Sequence, residues 1–271
     1  MQGGIGVKNN DIVYIATISG GKDSVTMCDL LLKNGYPVDY LVFSDTLNEF
    51  DEMYQYIEKL KEYFSRRYNK DITVLKPQKN LTFENSMFKT RTRGENKGKV
   101  IGLRNASNSF CEWRRDAKIA PFDKWTKQFK GNYKVYIGIT IDEQRRTKRE
   151  DEHFIYPLID YFKMSENDCK QYLINQEMEN PLYRHFNRTG CANCHYQSDK
   201  DYYIIWKHYP KVWDFFVQTE KKMQSKDTKF KWWFTKFRTC EDMEKIFIEK
   251  DKQGDLVDFS DEPIKDCFCK I

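Results

Sequence analysis

The chain runs to 271 residues, 39% of them hydrophobic, with 46 Lys+Arg against 41 Asp+Glu and a net charge of +5. A chain of that length can bury a substantial core, so one large domain or one and a half is expected. The near-balance of charge excludes a uniformly polycationic binder, and no apolar run is long enough to span a membrane.

In chain order, Ile12–Ile18 reads as a buried strand. The string Thr17-Ile18-Ser19-Gly20-Gly21-Lys22-Asp23-Ser24 then turns on two glycines into a helix over Ser24–Asn34, which stops near Gly35. Val38–Phe43 is a second strand. Phe50–Tyr68 is an amphipathic helix, with Met53, Tyr56, Ile57, Leu60 and Phe64 at helical spacing. Asp71–Leu75 is a third strand, stopped by Pro77, and Lys134–Ile139 is another. Ser165 with Asp168 reads as a helix N-cap. Repeated strand–helix units predict an α/β fold, a doubly wound parallel sheet with its ligand crevice at the carboxyl ends of the strands. The division expected is a nucleotide-binding α/β domain over residues 1–160 and a helical C-terminal region over 161–271.

A strand that turns on glycines into a helix start is an anion cradle. Glycines let the backbone approach a phosphate, and the first free N–H groups of the helix point at it. Ser19 and Ser24 add hydroxyl donors, Lys22 adds charge, and Asp23 can hold a magnesium ion bridging phosphate oxygens. No Walker-type G-x-x-x-x-G-K-[ST] string occurs. The Ser-Gly-Gly-Lys-Asp-Ser string instead resembles the PP-loop superfamily of adenine nucleotide alpha hydrolases, the ATP pyrophosphatases that cleave ATP between its α and β phosphates. The resemblance implies ATP and Mg2+ as ligands, Lys22 and Asp23 as catalytic residues, and Ser19, Gly20, Gly21, Lys22, Asp23 and Ser24 as nucleotide-binding residues.

The loop after strand two deepens the resemblance. Asp45-Thr46-Leu47-Asn48-Glu49-Phe50 is similar to the Asp-Thr-Gly-x-Glu-Phe string of the phosphoadenosine phosphosulfate (PAPS) reductase branch, with Leu47 in the glycine's place. Asp45 and Thr46 are therefore candidate nucleotide-binding residues, although Asp45 alone also reads as a helix N-cap. Gly138-Ile139-Thr140-Ile141-Asp142-Glu143-Gln144-Arg145-Arg146 resembles the family's strand-four motif, and makes Arg145 the candidate clamp on the phosphates.

Of eight cysteines, Cys191-Ala192-Asn193-Cys194 forms a C-x2-C turn, which places two thiolates on one metal or cluster. Clustered thiols of this kind, with no basic and apolar leader at Met1-Gln2-Gly3-Gly4, fit a reducing, cytoplasmic setting. Cys28 and Cys169 fall among apolar helical residues and read as buried small hydrophobes, and Cys240 has no obvious partner. Further ligands could come from Cys111, His195, Cys267 and Cys269. Cys111 opens a segment similar to the family's Cys-x-x-x-x-Lys-x-x-Pro, with a longer interval to Pro121. A cysteine followed at that distance by C-x2-C resembles the assimilatory reductases that carry a [4Fe–4S] cluster, and the DNA-phosphorothioation sulfurtransferases. This implies Cys111, Cys191 and Cys194 as metal ligands, with Cys267 or Cys269 as the fourth, or a fourth iron left open for sulfur. Zn2+ is the alternative, in a closed site of Cys191, Cys194, Cys267 and Cys269.

The resemblance covers roughly residues 11–220 and leaves the Lys- and aromatic-rich end, with Trp232, Trp233, Phe234 and Phe237, unassigned. Lys89 to Arg115 is strongly basic and reads either as a solvated face or as a site for a nucleic-acid backbone or sulfonucleotide phosphates. Three functions remain. The first is an ATP pyrophosphatase that adenylylates a target and couples this to sulfur transfer, served by a sulfur-donor protein. The second is a reductase of PAPS or adenosine phosphosulfate. The third is a non-catalytic nucleotide-binding interaction protein. The intact Gly20-Gly21-Lys22-Asp23-Ser24 favours the first.

Overall fold

Five short apolar runs form one parallel sheet in the computed structural model, which describes residues 12–100, 111–147, 151–226 and 238–252. The strands are β1 (Val13–Thr17), β2 (Tyr40–Ser44), β3 (Ile72–Leu75), β4 (Tyr133–Tyr136) and β5 (Phe154–Ile155). Their order is β3-β2-β1-β4-β5, and every pairing is parallel. This is the doubly wound α/β architecture that the strand–helix alternation predicts. Strand β1 lies at the centre, covered on both faces, which is why its sequence is a continuous apolar run rather than an alternating one.

The helices are α1 (Lys22–Lys33), α2 (Asp51–Tyr68), α3 (Phe83–Met87), α4 (Glu112–Arg114), α5 (Ala120–Thr126), α6 (Pro157–Asp160), α7 (Glu166–Asn175), α8 (Asp199–His208), α9 (Pro210–Gln224) and α10 (Cys240–Lys252). The five apolar positions expected along α2 are its buried residues, and Asn69 closes the helix in the left-handed conformation. Ser165 and Asp168 form a full capping box at the start of α7. Cys28 and Cys169 are completely buried, as their apolar neighbours predict.

Two departures have local causes. Strand β5 has two residues, too few for any periodicity to mark it. Strand β4 ends at Tyr136 rather than running to Ile139. Ile137 still donates to the Ile155 carbonyl, but the Ile139 N–H turns back on the Ile137 carbonyl and takes the chain out of the sheet.

One hydrophobic cluster runs from Ala16 and the α1 residues through α2 to Tyr202, Phe216 and Phe247 in α8, α9 and α10. A smaller cluster around Ile15, Val42, Val135 and Ile159 fills the other face of the sheet. Beneath α1, the buried Asp29 accepts hydrogen bonds from Tyr63 (2.8 Å), Tyr68 (2.7 Å) and Tyr172, which ties α1, α2 and α7 together. Three phenol donors satisfy a carboxylate that would otherwise be costly to bury. Among the described residues, no helix is long and apolar enough to cross a membrane.

Candidate functional site

Strands β2 and β4 leave β1 on opposite sides, so the sheet's switch point opens above the carboxyl end of β1. The loop Ser19–Gly21 sits there and is stitched from within. Ser19 donates its N–H to Ser24 Oγ at 3.0 Å, the two hydroxyls lie 3.0 Å apart, and Ser24 Oγ reaches the Gly21 carbonyl at 3.0 Å. Gly20 has φ +76°, and a Cβ on it would lie 2.5 Å from Met53 Sδ, so both backbone and space require glycine. On the far side, a Cβ on Gly138 would lie 2.8 Å from Ser24 Cα and 2.9 Å from its N, which lets the end of β4 lie directly against the start of α1.

A segment distant in sequence braces this loop. Asn180 Nδ2 donates to the Gly20 carbonyl at 2.9 Å, and the Lys22 N–H donates to the Tyr183 hydroxyl at 2.9 Å. Burial pushes the Tyr183 phenol above its ordinary range. Sequence reasoning missed both residues, since nothing local marks them.

Lys22 and Asp23 are less open than a phosphate loop's sequence suggests: Asp23 is 4% exposed. Lys22 Nζ pairs with Glu166 Oε2 at 2.7 Å and lies 4.0 Å from Asp23 Oδ1. Burial works against the ammonium, but the carboxylates of Asp23 and Glu166 outweigh it and hold its pKa above the ordinary lysine value. Asp23, Glu143 and Glu166 offer carboxylate oxygens within 4.8 Å of one another, a donor set of the kind a hard divalent cation takes. Arg146 donates to Glu143 Oε1 at 2.8 Å, whereas Arg145 is exposed on the same 3-10 turn, Ile141–Thr147. Glu143, Arg146 and Glu166 thus join the group without having been singled out. Asp142 braces it by accepting the Glu166 N–H at 2.6 Å.

The loop after β2 forms the next wall. Asp45 accepts the Leu47 N–H at 2.8 Å and the Tyr54 hydroxyl at 3.1 Å, so its carboxylate shapes the turn. It is not the N-cap of α2, a position held by Phe50. Leu47 adopts φ +54°, the left-handed conformation that a glycine would take without strain. Thr46 Oγ1 donates to Glu49 at 2.7 Å and lies 3.8 Å from Cys191 Sγ.

That last contact brings the cysteine turn to the crevice. The Ala192 N–H donates to the Asn48 carbonyl at 2.7 Å, and Asn193 Nδ2 donates to Asn48 Oδ1 at 2.7 Å. Among the described residues, Cys191, Cys194 and Cys111 form no disulfide. Cys194 Sγ accepts the Tyr196 N–H at 3.4 Å and Cys111 Sγ accepts the Arg114 N–H at 3.4 Å. His195 follows at once, deeply buried, with no hydrogen-bond partner for its Nε2 among the described residues. Thiols and an orphaned imidazole nitrogen form a donor set that suits a soft metal or cluster. Among the described residues, Cys111, Cys191 and Cys194 do not fall within 4.8 Å of one another as a mononuclear ion would draw them. A cluster spreads its thiolates over separate irons and asks for less convergence. Cys267 and Cys269 lie outside the described residues, as do Arg104 and the aromatic group Trp232–Phe237. Cys240 is buried, with its N–H on Glu220.

Of the basic stretch, Lys89, Arg91, Arg93 and Lys97 are exposed on a turn closed by the Thr90–Val100 bridge, while Arg115 is paired with Asp116.

The family model described as the phosphoadenosine phosphosulfate reductase domain matches residues 13–197. No curated protein matches the sequence. Among solved structures, a PAPS reductase from Candida auris in a phosphate complex is 18% identical, with a TM-score of 0.44, covering 66% of this chain and 80% of that one. The U34-tRNA thiolase NcsA from Methanococcus maripaludis, with its [4Fe-4S] cluster, is 16% identical, with a TM-score of 0.39, covering 86% and 80%.

Proposed function

Because the chain belongs to the phosphoadenosine phosphosulfate reductase domain family, we propose that it is a PP-loop enzyme that cleaves ATP, adenylylates a target and couples this to sulfur transfer through its cysteines. The observation that carries the reading is the docking of the cysteine turn onto Asn48 and Thr46, beside the Ser19–Ser24 loop. Sulfur chemistry and nucleotide chemistry then share one crevice.

In this reading the Ser19–Ser24 loop holds the phosphates and the Asp45–Thr46 loop borders the nucleoside. An acceptor oxygen attacks the α-phosphorus, the bond to the bridging oxygen breaks, and pyrophosphate leaves. Sulfide supplied by a sulfur-donor protein then forms a bond to the activated carbon and expels AMP with the former oxygen. The Lys22 ammonium, now on Glu166, is placed to exchange that partner for a phosphate. Arg145 is the proposed phosphate clamp, and the pairing of Arg146 with Glu143 makes Arg146 its closest rival. Mg2+ fits beside Asp23, Glu143 and Glu166, where it would neutralise phosphate charge. Cys111, Cys191 and Cys194 would hold a [4Fe–4S] cluster, with Cys267 or Cys269 as fourth ligand; in the alternative, Cys191, Cys194, Cys267 and Cys269 would hold Zn2+. A cluster supplies a site that binds sulfur or takes an electron. Residues 1–160 would carry the nucleotide chemistry, and 161–271 would bring the cysteines to it. The exposed Lys89, Arg91, Arg93 and Lys97 make nucleic acid the proposed acceptor class.

The test is anaerobic purification with metal analysis, followed by assay of ATP products. The reading expects AMP and pyrophosphate in equal amounts with acceptor and sulfide present. Production of ADP would overturn it, and no turnover of ATP alongside release of sulfite from PAPS with a thiol reductant would replace it with the second reading, sulfonucleotide reduction. The family match favours that second reading equally.

A further inference from the structure

Five residues other than glycine hold a positive φ among those described: Leu47, Asn69, Lys130, Lys163 and Glu177. Four of them close helical segments, where a left-handed residue satisfies the last carbonyls. Asn69 and Lys130 are C-caps, Glu177 follows the C-cap Gln176, and Lys163 lies just past the C-cap Tyr161. Leu47 has no such duty. It follows strand β2, and at φ +54° its Cβ costs free energy that glycine would not.

Burial does not recover that cost, because Leu47 stays 49% exposed. A large apolar side chain that is both strained and half-bare serves folding poorly, and local strain of this kind marks sites where a contact is needed. The frame around it is fixed. Asp45 holds the Leu47 N–H, Thr46 is bonded to Glu49, and Asn48 is bonded to Asn193. The loop therefore presents one aliphatic group at the carboxyl end of β2, one strand from the phosphate loop.

We propose that Leu47 is a specificity-determining residue whose side chain packs against the base of the bound nucleotide, and that its strained backbone is kept for that contact. The proposal rests on the reading that the crevice holds an adenine nucleotide. A base presents a flat apolar face that gains from an aliphatic wall, and a polyphosphate does not. Leu47 then serves the base while Ser19–Ser24 serves the phosphates.

Calorimetric titration of the full chain with Mg-ATP and with magnesium tripolyphosphate tests this in wild type, Leu47→Gly and Leu47→Met, alongside thermal melts. Leu47→Gly should weaken ATP binding about tenfold, the scale of losing part of a leucine's apolar burial. It should leave tripolyphosphate binding unchanged and the melting temperature no lower, since glycine accepts the positive φ. Leu47→Met should bind ATP as wild type does. Wild-type ATP affinity in Leu47→Gly would overturn the proposal, as would equal loss of both ligands, which would mean a collapsed loop. If wild type binds neither ligand, the crevice reading itself fails and this proposal with it. Wild-type binding of tripolyphosphate but not ATP would reject the base contact alone.

Discussion

The Ser19–Ser24 loop is bonded within itself as well as braced by Asn180 and Tyr183, whereas the cysteine turn takes its position mostly from outside. Between Ser19 and Ser24, two hydroxyls and two backbone groups bond to one another, so a run of six residues carries its own shape. The turn Cys191–Cys194 closes one bond of its own, from the Cys194 N–H to the Cys191 carbonyl, and takes its position from Asn48, 145 residues before Asn193. The first arrangement depends less on the rest of the molecule. The second depends on Asn48, so a change at the cysteines can be felt at the loop after β2, and the reverse.

The largest expected effect breaks the self-contained half. Asp23→Asn removes a buried negative charge from the phosphate loop at nearly constant volume, and should lower pyrophosphate release by about 100-fold or more. Because Asp23 is buried rather than solvent-facing, melting curves must accompany the assay. Near-normal turnover in a folded Asp23→Asn would remove Asp23 from the chemistry.

Next come the thiols. Cys111→Ser, Cys191→Ser and Cys194→Ser should each lose bound metal, read by metal analysis of the purified chain, while Mg-ATP binding persists. Full metal content in Cys111→Ser would return a closed four-cysteine zinc site to the lead.

Gly138→Ala attacks the contact between the β4 end and α1. Its Cβ would meet backbone at 2.8 Å, which cannot move aside as a side chain can. An overpacking cost of about 1–3 kcal/mol is expected from chemical denaturation. A neutral result would mean that α1 shifts freely, and that the phosphate loop is less fixed than its bonds imply.

Asn48→Ala sharpens the comparison most directly. Losing one hydrogen bond to Asn193 should cost about 1 kcal/mol of stability. It should also lower metal retention at the cysteine turn in a chelator challenge, with tripolyphosphate binding at the self-stitched loop unchanged. Equal weakening of both would show that the two loops form one unit.

The smallest effect is in pH. Lys22 has a folded pKa above its ordinary 10.5, so the stability it draws from Glu166 and Asp23 is complete below that value and fades as pH rises through the folded one. The difference in melting temperature between wild type and Lys22→Met should be flat from about pH 7 to 10 and shrink above that. A difference that shrank near neutrality would mean that Lys22 titrates there and is not held by carboxylates.

The sequence by itself determined the sheet, the helix α2, the capping box of α7 and the glycine turn before α1, because each depends on neighbours a few residues apart: apolar runs or helical spacing, a cap three residues on, two glycines at a turn. A two-residue strand such as β5 has no period to read. Tertiary structure alone decided that Glu166 and Glu143 join Asp23, that Tyr183 and Asn180 brace the loop, and that Cys191 lies against Thr46. Those contacts join positions up to about 160 residues apart, and chain folding, not local propensity, creates them. Leu47 belongs to both. The sequence showed a leucine where a related string has glycine, and the fold supplied the positive φ and the exposure that turn a substitution into a question about what it touches.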